Sequence, residues 1–360
     1  MKRIISALIL AVFILPHVVS AQTSTPSPTP TEQVSEPSGP VPQTGVNVTL
    51  SPTFLSLISD PGKKVSGQFK VRNNNNFTEN FKLSLAKFEA AEGGERPLLV
   101  DVTSQDDFIK WISFDEQKFS VGPNESKTVT VTLNVPKTAT LGYYYAILVN
   151  RVSEKESEGS GAVVAGSPAI LTLLEVRTPN AKRELQLEDF STTKLFFEYL
   201  PTEFTIKVKN TGNIHVVPVG DIFIDQGNKK DIAVIHINEG RGNVLPQSAR
   251  TYTSTWTDGF AVKVPKEEPA GSGQFVRDDK GNTKMTVKYD FAKADRFRIG
   301  KYDAHLLLAY DNGERDVPLE ATVSFWVIPW KTLGATLIIL LFVLYGIKSI
   351  IAAQMKRFRS

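Results

Sequence analysis

The chain has 360 residues, 24 glycines, 21 prolines and no cysteine, and its 41 basic and 38 acidic residues give a net charge of +3. Without cysteine there are no disulfides, no thiolate metal ligands and no thiol nucleophile, so each domain must be held by its own apolar core. Setting aside Lys2, Arg3, Lys331, Lys348, Lys356, Arg357 and Arg359, which belong to the two ends of the chain, leaves −4 on the remainder; a weakly acidic body without a basic stripe offers no footprint for nucleic acid.

Lys2 and Arg3 precede an apolar stretch from Ile4 to Leu15, followed by the small residues of Val19-Ser20-Ala21. A core of about a dozen residues falls short of the roughly 20 that a spanning helix needs, so residues 1–21 are expected to be a secretory signal peptide, with an uncleaved anchor as the alternative. Residues 22–45 follow, rich in Thr and Ser and carrying Pro26, Pro28, Pro30, Pro37, Pro40 and Pro42. Proline removes backbone donors and favours polyproline II, and little here could be buried, which predicts a disordered tail.

From residue 46 the pattern has period two. Phe69 and Val71, then Phe81, Leu83 and Leu85, then Val129, Val131, Leu133 and Val135 alternate with polar neighbours, as strands with one face on a core do. The runs Gly142 to Val149 and Ala169 to Val176 are apolar on both faces, the mark of interior strands. Between these two runs, residues 153–167 are acidic and glycine-rich, a composition that predicts a hairpin tip. The second half repeats the style with Phe204, Ile206 and Val208, then Ile222 and Ile224, Met285 and Val287, Leu306 and Leu308, and Val323, Phe325 and Val327.

Three marks recur in the same order. Val71-Arg72-Asn73-Asn74-Asn75-Asn76 matches Val208-Lys209-Asn210-Thr211-Gly212-Asn213, Val121-Gly122-Pro123-Asn124 matches Val244-Leu245-Pro246-Gln247, and Gly142-x-Tyr144-x-Ala146-x-Leu148 matches Gly300-x-Tyr302-x-Ala304-x-Leu306. They predict an all-β protein of two tandem immunoglobulin-like β-sandwich domains, 46–178 and 179–328, the second with an insertion near 257–284 and the first with its own extra loop near 90–111. Asp279-Lys280-Gly281-Asn282 and Asp311-Asn312-Gly313 read as hairpin turns.

Residues 329–353 are expected to form one transmembrane helix. Trp326 and Trp330 would sit in the interfacial aromatic belt beside Lys331, and Lys348 would snorkel to the headgroups. The basic tail 354–360, with Lys356, Arg357 and Arg359, places the C-terminus in the cytoplasm by the positive-inside rule and the bulk of the chain outside.

No catalytic set stands out. His215, His236 and His305 are singly placed, and there is neither a His-x-x-x-His spacing nor a nucleophile elbow. The acid pairs Asp106-Asp107, Asp115-Glu116 and Asp278-Asp279 lack the alternating oxygen ligands of a calcium loop. The reading is of a protein that is not an enzyme and needs no cofactor or metal; a surface hydrolase with two dispersed carboxylates is the unfavoured alternative.

Val48-Thr49-Leu50-Ser51-Pro52, Phe69-Lys70-Val71-Arg72-Asn73, Phe119-Ser120-Val121-Gly122-Pro123, Val135-Pro136 and Gly142-Tyr143-Tyr144 resemble the N-terminal domain of bacterial WxL-interacting cell-surface proteins. Val208-Lys209-Asn210-Thr211-Gly212-Asn213-Ile214-His215 is similar to the companion sandwich that follows in that family. The proline-rich tail and the long insertion depart from the pattern. The resemblance implies a membrane-anchored scaffold whose first domain engages peptidoglycan or a WxL partner protein, and whose second meets a ligand or host surface. Expected partners are thus the membrane, through a single span, and cell-wall polymer or another surface protein. An assembly accessory that captures exported proteins by β-augmentation is the alternative, and it requires runs such as 142–149 to be edge strands.

Overall fold

The computed structural model describes residues 47–91, 93–94, 96–152 and 167–359; the expected signal peptide, the proline-rich tail and nearly all of the acidic loop at 153–167 lie outside them. The first ten strands are β1 (Val48–Ser51), β2 (Phe54–Ser59), β3 (Lys64–Asn73), β4 (Glu79–Ala90), β5 (Pro97–Val100), β6 (Ile112–Phe114), β7 (Lys118–Val121), β8 (Ser126–Asn134), β9 (Leu141–Arg151) and β10 (Ala169–Val176). Ten more follow: β11 (Leu185–Thr192), β12 (Phe196–Phe197), β13 (Thr202–Asn210), β14 (Val219–Gln226), β15 (Lys229–Ile237), β16 (Ala249–Trp256), β17 (Ala261–Pro265), β18 (Met285–Tyr289), β19 (Gly300–Asp311) and β20 (Asp316–Val327). Among the described residues one α-helix, α1 (Trp330–Arg359), follows the strands.

The strands form where side chains alternate. In β3, Phe69, Val71 and Asn73 are buried while Lys70 and Arg72 are exposed, which is the two-residue period of a pleated strand with one wet face. The chain is all-β, two tandem immunoglobulin-like sandwiches followed by one apolar helix. The first sandwich faces a sheet of order β1-β3-β8-β6 with one of order β2-β10-β9-β4-β5, to which β7 adds on β4. The second faces β11-β13-β16 with β12-β20-β19-β14-β15. The two orders correspond strand for strand, down to the parallel pairing of β2 on β10 and of β12 on β20, except that β6 has no counterpart beside β16 and that β5 and β7, both on β4, are answered by β15 alone on β14.

Each sandwich has its own apolar core. The first gathers Phe69, Phe81, Val129, Tyr145 and Ile147, all essentially inaccessible. The second stacks Phe204, Trp256, Tyr302 and Phe325, whose ring centroids lie 5.1–6.1 Å apart. Burial of each such side chain contributes about 1.5–3 kcal/mol. The extra chain of the first sandwich supplies β5 and β6 and a 3-10 turn at Asp107–Trp111, from which Phe108 and Trp111 pack on Tyr143. The insertion of the second is the two-stranded ribbon β17–β18 with a long tip between its strands. Both expected hairpin turns form, with Gly281 and Gly313 at positive φ.

One sequence mark pairs the right strands in the wrong phase. Tyr302, Ala304, Leu306 and Leu308 of β19 face their own core, whereas in β9 the core-facing residues are Tyr143, Tyr145, Ile147 and Val149. Ala146, Leu148 and the ring of Tyr144 lie on the opposite, outer face. Because β9 is apolar on both faces, its sequence carries no information on phase, and a one-residue slip moves every side chain to the other side.

The apolar part of α1, Trp330–Ala352, is 23 residues long and exposed along its length, long enough to cross a membrane. Helical structure continues beyond this apolar part to Arg359. The last turns contain Ala, Gln, Met, Lys and Arg with no Gly or Pro, all good helix formers.

Candidate functional site

A lone sandwich would turn polar residues outward on both sheets. Here the outer face of the β2-β10-β9-β4-β5 sheet carries a third apolar cluster, Ala86, Phe88, Ala146, Leu148 and Leu173, against which Leu245 of the second sandwich packs. The contact is fastened at two further places. The Thr251 N–H donates to the Gly93 carbonyl at 3.0 Å. Beside it Gly94 has φ +69°, and a Cβ there would lie 2.3 Å from the Ala249 carbonyl oxygen, so the close approach requires glycine.

The second fastening is Tyr144 with His215. The tyrosine oxygen accepts from the His215 backbone N–H at 3.1 Å and lies 3.3 Å from Nδ1, with the rings edge to face. Burial lowers the His215 pKa to about 4, so the ring is neutral at pH 7 and its Nδ1 shares a neutral hydrogen bond with the phenol. Burial likewise pushes the Tyr144 phenol well above its usual range, keeping it a donor.

Next to this contact a cleft of ≈ 340 Å³ opens between the sandwiches. Phe88, Leu171, Leu173 and Leu245 make an apolar floor, and Arg96, Arg241 and Arg250 supply guanidinium groups around it. A second hollow of ≈ 470 Å³ shares Phe88, Leu245 and Ser248 with the first and extends to Tyr144, Asn213 and Gln247.

The loop that presents Arg241 is built by its own hydrogen bonds. Asn238 Nδ2 donates to the carbonyls of Pro218 (2.6 Å) and Gly242 (3.0 Å), and the Gly242 N–H donates to Asn238 Oδ1 (2.7 Å). Arg250 donates to the Asn243 carbonyl at 2.8 Å and lies over the Tyr252 ring at 5.2 Å; a Cβ on Gly242 would meet its guanidinium at 2.6 Å. The Arg250 Nε is buried and has no partner among the described residues. An apolar floor with forked cations at its margin suits an extended polymer or peptide that carries carboxylates or phosphates.

The sequence candidates do not converge on any such place. His236 sits 2.6 Å from Asp221, and His305 lies between Thr322 (2.9 Å) and Asp225 (3.1 Å). Asp106 caps Thr103 and pairs with Lys87, Asp115 accepts from the Thr130 N–H, and Asp278 accepts from the Lys280 and Asn282 N–H groups of its turn. Among the described residues no group of three or more His, Asp or Glu is placed to hold a metal ion. Of the anchor residues, Trp326 and Trp330 are exposed, and Lys331 lies 5.2 Å from the Trp330 ring centroid and 3.3 Å from Glu198. Lys348 is exposed on α1, while the side chains of Lys356, Arg357 and Arg359 lie outside the described residues. The cleft arginines were missed because Arg96 and Arg241 sit in loops without periodicity. A signal did exist in the two-faced apolar runs of β9 and β10, whose outer faces needed a cover.

No protein-family model matches the chain, and no curated protein matches it. Among solved structures it is similar to a class 5 fimbriae chaperone, CfaA, with 14% identity, TM-score 0.35, and 77% of this chain and 98% of that one covered. A chaperone–tip adhesin complex of CFA/I fimbriae gives 17% identity, TM-score 0.33 and coverage of 57% and 87%. The Pseudomonas aeruginosa CupB2 chaperone gives 9% identity, TM-score 0.32 and coverage of 78% and 100%. Similarity at these levels is no evidence of shared function.

Proposed function

We propose that this chain is a membrane-anchored, extracytoplasmic binding or scaffold protein that engages cell-wall polymer or another surface protein through the cleft between its sandwiches. The observation that carries the reading is the arginine-rimmed apolar cleft, held open by an interface with its own apolar cluster, on a chain whose described residues include one helix long and apolar enough to cross a membrane. The basic residues that follow the span favour a cytoplasmic C-terminus and an external body. Peptidoglycan, whose stem peptides carry carboxylates, is the polymer that the resemblance implies and that guanidinium groups would hold.

The test is co-sedimentation of the full chain, in detergent, with isolated cell-wall sacculi. The wild type pellets with the wall, and an Arg96→Glu, Arg241→Glu variant stays in the supernatant. No pelleting by the wild type removes the polymer and leaves a surface protein as the cleft's partner.

A second reading has one observation in its favour. Strand capture through 142–149 fails, because β9 lies in the interior between β10 and β4. The edge of β16 is open instead where its counterpart β8 carries β6, with the Thr251–Gly93 bond as its one backbone contact beyond β13 among the described residues. An extended segment of a client protein would add there by β-augmentation, and crosslinking from Thr253→Cys to a client strand distinguishes it from binding in the cleft.

A further inference from the structure

The chain connections at one end of the second sandwich lie at the end from which α1 starts. The segment before β13, the β14–β15 turn and the whole insertion between β16 and β19 lie at the end where β20 passes into the helix. Glu198 fixes the arrangement: its carboxylate is 2.9 Å from Lys263 at the root of the β17–β18 ribbon and 3.3 Å from Lys331 in the first turn of α1. Tyr199 hydrogen-bonds Thr332 at the same place.

This end is unusually apolar. Phe260 gathers Tyr289, Phe291 and Phe297 at centroid distances of 5.5–5.8 Å, and those three rings are 50%, 79% and 51% exposed. Met285, 51% exposed, shares with Tyr289 the ribbon face that carries Lys263, the face turned toward the helix root. The loop bearing Phe291 and Phe297 is held on the sandwich by Asp258, which pairs with Lys293 (3.3 Å), Arg296 (2.6 Å) and Arg298 (3.0 Å). Arg298 also lies over the Trp256 ring. These rings are therefore presented on a fixed support.

The charge agrees with one kind of surface. Residues 257–298 hold nine basic against seven acidic residues, a positive segment in a body that is otherwise acidic. Exposed aromatic rings beside basic side chains, continuous with the entry point of a spanning helix, match the headgroup layer of an anionic membrane. Contiguous exposed apolar patches on soluble proteins mark interaction sites.

We propose that the insertion at 257–298 lies on the headgroup layer of the membrane that α1 enters, with Phe291, Phe297, Tyr289 and Met285 in the interface, so that the second sandwich is held at a fixed tilt. The proposal rests on the reading of α1 as a membrane span. It assigns the insertion, which the cleft does not use, to a lipid partner.

The cysteine-free chain permits a direct test. Single-cysteine variants Ala292→Cys, Met285→Cys, Lys70→Cys and Leu340→Cys of the full chain are spin-labelled and reconstituted into vesicles of phosphatidylcholine and phosphatidylglycerol in equal parts. Collision with oxygen and with a water-soluble nickel chelate is then measured. Labels at 292 and 285 are expected to be several-fold more protected from nickel than the label at 70, with the protection reduced in pure phosphatidylcholine. Changing Phe291 and Phe297 to Ser should abolish it at 285. Labels at 292 and 285 as nickel-accessible as the one at 70, with 340 deeply protected, overturn the proposal while leaving the span intact. A nickel-accessible label at 340 overturns both.

Discussion

Asn73 and Asn210 make the same hydrogen bonds at the same place in the two sandwiches. Asn73 Nδ2 donates to the carbonyls of Phe77 (2.7 Å) and Val121 (3.1 Å), and its Oδ1 accepts from the Asn75 N–H (2.9 Å). Asn210 Nδ2 donates to Ile214 (2.8 Å) and Val244 (2.9 Å), and its Oδ1 accepts from the Gly212 N–H (2.9 Å). Both side chains are fully buried. Each ties the exit of one strand to the entry of another, so the first two sequence marks of the repeat are two halves of one bonded unit.

Asn73→Ala and Asn210→Ala are each expected to leave buried carbonyls without a donor and to lower stability by about 1–3 kcal/mol. Aspartate at either position should be worse, since a carboxylate cannot donate and its charge would be buried. Urea unfolding midpoints check both, and equal losses at the two sites would show that the two units are energetically as well as geometrically alike.

Stability is expected to fall on mild acidification through His215. Its folded pKa of about 4 lies below the usual 6.5, so the unfolded chain takes up the proton first as pH drops. Above pH 6.5 the group is neutral in both states and contributes no slope; between 6.5 and 4 stability is lost, by up to about 3 kcal/mol at roughly 1.4 kcal/mol per unit. The difference between wild type and His215→Gln in urea titrations across this window isolates the effect from the carboxylates.

Gly94→Ala should weaken the fastening between the sandwiches. The new Cβ would meet the Ala249 carbonyl at 2.3 Å on a backbone of positive φ, a strain of about 1–3 kcal/mol. Small-angle scattering of the full chain in detergent is expected to show a more extended body, with both cores still folded by circular dichroism.

Reversing charge at the cleft should alter binding and spare the fold. Arg96 and Arg241 are exposed, so Arg→Glu at either should change stability by no more than about 0.5 kcal/mol. Each is expected to weaken binding of an anionic wall polymer by about 10- to 100-fold, the worth of a charged hydrogen bond. Arg250→Ala, in contrast, should also destabilise, because that guanidinium packs on Tyr252.

Much of the architecture could be read from residue order because it is local. Phe69 and Val71 between Lys70 and Arg72 declare a strand and its buried side at once, and Asn73 and Asn210 announce the turns they close. The same reasoning failed at β9, where Tyr143 through Val149 are apolar throughout and either phase satisfies the pattern. The cleft was not legible either: Arg96 lies far from Arg241 and Arg250 in the chain, and nothing local in their neighbourhoods distinguishes the three from solvated cations.

The sequence by itself determined the strand character of the body, the order of its elements and the apolar terminal helix, since alternation and hydropathy are properties of neighbouring residues. Only the tertiary structure decided which face of β9 serves its own core, which loop covers the other face, and which cations then surround the gap. Those outcomes depend on how two independently packed sandwiches meet, and that is set by shape and buried area between residues remote in the chain.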